Sequence, residues 1–149
     1  MRFQVPEPYS AMRGLADRVE QRLKDLGLNR PGRPASPTIP DLPADLTNVT
    51  TQEVGRLLGE YNAWLAYISP EVARARVNAK EAKANAQAAK TLKRPAAERI
   101  ELDRILIECE ALVDVLEAME RSVSRRREAA SREITRIIGV QDPGDPDHR

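Results

Sequence analysis

The side chains best equipped for chemistry in this chain are its arginines and three aromatic rings. Arg121, Arg125, Arg126, Arg127, Arg132 and Arg136 crowd the stretch 121–138, where six Arg stand against two Glu for a net of +4. Tyr61, Trp64 and Tyr67 recur at three-residue steps further upstream. Cationic side chains neutralise phosphates, and aromatic faces stack unpaired bases, so the combination suits single-stranded nucleic acid. The same residues support a plainer reading. Tyr61 and Trp64 at i, i+3 also fit the core face of a helix, and an arginine run also solvates a surface.

Other chemistry finds little support. His148 is the single histidine and Cys109 the single cysteine. Metal binding needs several His, Cys or carboxylate groups converging, and nucleophilic catalysis needs a base. Asp103 and Glu110 share a heptad spacing, which a solvated or salt-bridged face explains. No G-x-x-x-x-G-K-[ST] or G-x-G-x-x-G loop occurs. A non-enzyme without cofactor or metal is expected. One cysteine allows no intrachain disulfide, which fits a reducing cytoplasm. No secretory signal and no run of 18 apolar residues is present, so a cytoplasmic protein with no membrane segment is expected.

The elements that must position these residues read as helices. Aromatics make up 3% and charged residues 32% of the 149, the composition of long helices rather than a compact mixed core. The stretch from Pro95 to Ile138 predicts one helix, opened by Pro95 at its first position and stopped at Gly139. Leu102, Cys109, Leu116, Val123, Ala130 and Ile137 recur at sevens, with Ile105, Leu112, Met119 and Leu106 widening the stripe. Arg126 and Glu133 interrupt it. Ile107 and Val115 lie off it, so the apolar surface exceeds what one partner helix covers and points to self-association. Leu102, Leu106, Cys109, Leu116, Met119 and Val123 are the expected oligomer seam.

A second helix-compatible arm runs from about 51 to 93. Thr50-x-x-Glu53 reads as a capping box. Val54, Leu57, Leu58, Tyr61, Trp64, Leu65 and Ile68 form a strong apolar face, and Ser69-Pro70 then predicts a kink or a fresh start. Beyond it the arm is alanine-rich. The arms are nearly equal in length and joined at Lys93-Arg94, so the fold class is all-α, a long antiparallel helical hairpin. In that register Tyr61 and Trp64 fall near Ser124 to Arg127. The charges are segregated: residues 70–94 net +5, residues 95–120 net −6, and residues 50–69 only −1. The first two stretches neutralise each other in the hairpin, which leaves the arginine-rich end uncompensated. An isolated two-helix hairpin has little core, so a homo-oligomer is expected.

Ahead of the hairpin (50–138), residues 1–28 hold a short amphipathic helix, from Ser10 to Leu26, that docks on a hairpin. The segment 29–49 follows, with Pro31, Pro34, Pro37, Pro40 and Pro43 at every third position. Polyproline II has three residues per turn, so a semi-rigid rod of roughly 40 Å serving as a spacer is expected. Residues 139–149 read as a disordered acidic tail.

The Tyr61-x-x-Trp64-Leu65 step, followed by a Lys/Arg/Ala-rich helix, a break and a second long helix, resembles the UvsY family of bacteriophage recombination mediators over roughly 55–138. The resemblance implies a small helical oligomer that binds single-stranded DNA and helps load a recombinase in place of single-strand-binding protein, in the host cytoplasm. By position it makes Lys80, Lys83, Lys90 and Lys93, with Arg94, the DNA-facing residues of the first arm. The arginine cluster then serves DNA contact or assembly. The N-terminal helix, proline segment and acidic tail depart from the family. A second expectation stands beside this one: a structural coiled-coil module of a virion or scaffold, with no nucleic-acid role.

Overall fold

The computed structural model describes residues 14–28 and 31–141. They form three α-helices, α1 (Leu15–Asp25), α2 (Thr51–Thr91) and α3 (Ala96–Gln141), and a single 3-10 turn at Leu46–Asn48. No strand occurs among the described residues. The two long helices pack on each other as a helical hairpin. The tail from 142 onward, with His148, lies outside the described residues, as do Ser10 and Met12 of the expected N-terminal helix.

Local chemistry explains the boundaries. Thr50 Oγ1 accepts from the Glu53 N–H at 3.2 Å and caps α2. The return half of the expected capping box is missing, because the Glu53 carboxylate takes Arg56 instead. Just upstream, Asp45 accepts from the Thr47 N–H at 3.0 Å and from Asn48 Nδ2 at 2.7 Å, which pins the 3-10 turn. At the other end of α2, Arg94 N–H reaches the Ala89 carbonyl and Lys93 N–H the Lys90 carbonyl. This is a Schellman closure, with Lys93 at φ 51° where glycine is usual. Arg94 then clamps Glu98 at 2.9 Å across the turn. Pro95 sits one residue before α3 rather than at its first position, and its carbonyl accepts the Arg99 N–H.

Two expected punctuation marks do not end a helix. α2 continues through Pro70 as one helix, although proline has no N–H to give the Ala66 carbonyl. α3 continues past Gly139 to Gln141. The chain forms two compact units, whose boundaries fall at Ser69 in α2 and Met119 in α3.

The first unit holds α1 and residues 69–118. Its core sets large side chains of α3 against alanines of α2. Leu102 packs against Ala86 and Ala89, and Ile105 with Cys109 against Ala82, with Leu106 beside both groups. That pairing, with Arg76 to Glu117 at 2.7 Å and Lys90 to Asp103 at 3.9 Å, gives the antiparallel register expected. α1 docks on its own chain. Arg74 binds Asp17 at 2.5 Å and also Glu20, and Ala16 is buried. Val19 and Leu23 face Pro70, Ala73 and Val77 across an apolar crevice but stay 43% and 40% exposed. Asn85 is buried with its Oδ1 unpaired.

The second unit holds residues 31–68 and 119–141. Val54, Leu57, Tyr61, Trp64 and Ile68 bury one face of α2, and Val123 and Ala130 are buried from α3. The proline segment is not the straight rod expected. It bends over 35–38, where Arg33 donates to the Pro37 carbonyl at 3.3 Å and Ser36 to the Thr38 carbonyl at 2.9 Å. Pro34, Ile39, Pro40, Leu42 and Pro43 are half-buried, so the segment is a cover rather than a free spacer.

Leu102 is the largest α3 side chain fully inside the alanine seam. Leu102→Ala leaves a hole that alanine neighbours cannot fill and lowers stability by about 2–4 kcal/mol. Urea unfolding followed by circular dichroism reads the loss, and Leu112→Ala, at an exposed site, is the near-neutral control.

Candidate nucleic-acid interface

Two of the three candidate aromatics, Tyr61 and Trp64, are core. Tyr61 has no exposed surface and Trp64 is 5% exposed. Trp64 meets Tyr67 edge to face, centroids 6.2 Å apart at 75°. The Arg33 guanidinium covers the Trp64 ring at 5.9 Å from its centroid. Their ring faces are therefore closed to a base, and only the half-buried Tyr67 retains accessible surface. Tyr61 Oη and Trp64 Nε1 are buried without a hydrogen-bond partner. Burial pushes the Tyr61 phenol above its ordinary pKa, with nearby Arg126 pulling the other way.

Arg126 and Glu133, the two breaks in the heptad, are structural. Arg126 is half-buried and donates to the Pro40 carbonyl at 2.9 Å, with Asp41 3.7 Å away. It fastens the proline segment to α3 and so leaves the list of phosphate-binding candidates. Glu133 is 8% exposed, and three hydrogen bonds from Arg136 hold its carboxyl below the usual range. Arg132 lies 3.8 Å from Glu128.

Arg121, Arg125 and Arg127 are exposed and have no partner among the described residues. Arg121, Arg125 and Arg132 fall on one stripe of α3, at steps of four and seven. Arg127 lines an open cleft of about 490 Å³ with Leu58, Asn62, Glu128, Ser131 and Arg132. Two guanidinium groups with an amide and a hydroxyl suit an anion such as a phosphate, with Glu128 partly offsetting Arg132. Only the charge segregation of the sequence could locate this end. Neither the Pro40 contact of Arg126 nor the Arg33 lid on Trp64 has a periodicity to give it away.

The remaining candidate cations belong to the first unit. Lys80, Lys83 and Lys93 are exposed and have no partner among the described residues, while Lys90 approaches Asp103 and Arg94 is held by Glu98. Arg99 is a further exposed cation that sequence reasoning missed. Neutralisation between the arms is slighter than expected. Glu101 and Glu108 go to Arg104 of their own helix, and Glu110 and Asp114 have no partner among the described residues.

Three of the six residues expected at the oligomer seam lie in the hairpin's own core. Leu102, Cys109 and Val123 are buried within the chain, Leu106 and Leu116 half-buried, and Met119 is 38% exposed. Among the described residues no three His, Cys, Asp or Glu gather to hold a metal, and no helix is long and apolar enough to cross a membrane. Comparison with protein-family profiles, curated proteins and solved structures gives no match to this chain.

Two measurements check this site. Burial raises the Cys109 thiol pKa, with the Glu108, Glu81 and Glu110 carboxylates adding to it, so the protonated thiol dominates in the fold. Cys109 should react with a disulfide reagent at pH 8 at least ~10-fold more slowly folded than in urea, because the thiolate is the nucleophile. Tyr61→Phe removes a buried, unpaired hydroxyl and should leave stability unchanged or raise it by about 1 kcal/mol at neutral pH. Because the folded pKa is raised, wild type loses stability as pH climbs above about 10, where the unfolded phenol ionises first, and the Phe variant lacks that loss. Denaturant midpoints against pH read both effects.

Proposed function

We propose that this protein is an oligomeric accessory factor that binds single-stranded DNA, acting in recombination or replication of the phage type. The observation that carries the reading is the exposed, unpartnered set Arg121, Arg125 and Arg127 on α3, beside a cleft that adds Arg132, Asn62 and Ser131. Guanidinium groups without internal carboxylates remain available to phosphate oxygens, and binding of this kind is sequence-tolerant and salt-dependent. With Tyr61 and Trp64 buried, the contact is electrostatic rather than a stack of bases on rings. The preference for single strands, and a recombinase or single-strand-binding protein as partner, rest on the likeness to the recombination mediators.

A structural role without nucleic acid is the second reading, favoured by apolar side chains that the hairpin leaves uncovered on α3, Ile100, Ile107 and Val115. It expects self-association and no salt-sensitive binding.

Changing Arg121, Arg125 and Arg127 together to Ala should weaken binding to a labelled single-stranded oligonucleotide several-fold or more. With about 0.7 counterions released per phosphate, it should also flatten the salt slope by about 2. Arg126→Ala is the contrasting variant: it loses the Pro40 contact and stability, with the salt slope kept. An unchanged affinity in the triple variant removes the arginine set from the interface.

A further inference from the structure

The outer side of the first unit carries two faces that no described residue covers. On α3, Ile100, Ile107, Ala111 and Val115 follow one another at steps of seven, four and four, a stripe on the side away from Leu102, Ile105 and Cys109 that also carries Arg104, neutralised by Glu101 and Glu108. Ile100 is 70%, Ile107 65% and Val115 58% exposed. Glu110 and Asp114 border this stripe, exposed and unpartnered. On α2, Lys80 and Lys83 are exposed and have no partner among the described residues, and Arg76 and Lys90, each beside an α3 carboxylate of its own chain, flank them.

We infer that the outer face of α3 over 100–115 docks on the outer face of α2 over 76–92 of a second copy of this chain. Charge selects this occupant. Two α3 faces set against each other bring acid to acid, since residues 95–120 net −6, whereas residues 70–94 net +5. Like charges across a desolvated contact are penalised and opposite ones favoured. The antiparallel order that places Leu102 beside Ala86 and Ala89 within one chain serves between chains as well. In that order Glu110 falls beside Lys80, Ile107 beside Lys83 and Ala84, and Ile100 near Leu92. Each copy offers one face and receives on the other. The contact is therefore heterologous, and repetition closes a ring or extends a filament. The inference does not depend on nucleic acid. It assigns Lys80 and Lys83 to assembly and leaves the arginines of the second unit to any polyanion.

The test is the mass of the full chain by light scattering after size exclusion, without nucleic acid, with circular dichroism to confirm helix content. Wild type should run as a multiple of the chain mass. Glu110→Lys with Asp114→Lys should fall to a single chain, and so should Lys80→Glu with Lys83→Glu, since none of the four has a partner among the described residues to lose. Mixing the two double variants, or combining all four changes in one chain, should restore the assembly. A wild type of single-chain mass overturns the proposal. So does assembly indifferent to Lys80→Glu with Lys83→Glu, the result expected if α3 met only α3. Failure of the mixture and of the quadruple variant to reassemble, with helix content intact, overturns it too.

Discussion

Two helices of 41 and 46 residues joined by a tight turn bury only one face each against the other, and that geometric limit governs the rest of the molecule. In the first unit the shared seam is narrow, because α2 contributes alanines to it, Ala82, Ala86 and Ala89. Alanine favours helix and lets α3 come close, but it removes little apolar surface from water per residue. The hairpin therefore needs further cover. α1 supplies part of it through the Arg74 ion pairs, and the proline segment supplies another part through Arg126 and Arg33. What neither reaches stays exposed, above all the outer stripe of α3.

The same limit sorts the charges. Two charged positions on the α3 seam are satisfied locally, Glu133 by Arg136 and Arg126 by the Pro40 carbonyl. Positions off the seam with an opposite charge one helical turn away pair within their own helix, as Arg104 does with Glu101 and Glu108. The acids one turn from Arg121 and Arg125 are Glu117 and Glu128, which go to Arg76 and Arg132 instead, and Arg127 has none, so the basic character of that stretch stays on the surface. The proposed polyanion binding and the proposed self-assembly thus call on different residues in different units.

Much of the hairpin was legible in the sequence because its signals are periodic. The heptad of Leu102, Cys109, Val123 and Ala130 named buried positions, and equal arm lengths set the register that brings Arg76 to Glu117. Signals that depend on tertiary contact were not legible. Pro70 reads as a break, yet packing along α2 carries the helix through it. Prolines at every third position read as a rod, yet Arg33 and Arg126 draw the chain down onto the second unit. Aromatics near arginines read as a base-stacking surface, whereas burial of Tyr61 and Trp64 makes them core. Heptad residues read as an oligomer seam because periodicity alone does not say whether the partner helix lies in the same chain.

The central claim is that the free arginines of α3 present a polyanion-binding surface, and one titration tests it most directly. Fluorescence anisotropy of a labelled single-stranded oligonucleotide is followed against the wild-type chain at low and at moderate salt. Saturable binding that weakens steeply as salt rises is the predicted result. No binding at low salt, or binding indifferent to salt, contradicts the claim and leaves the hairpin as an assembly module alone.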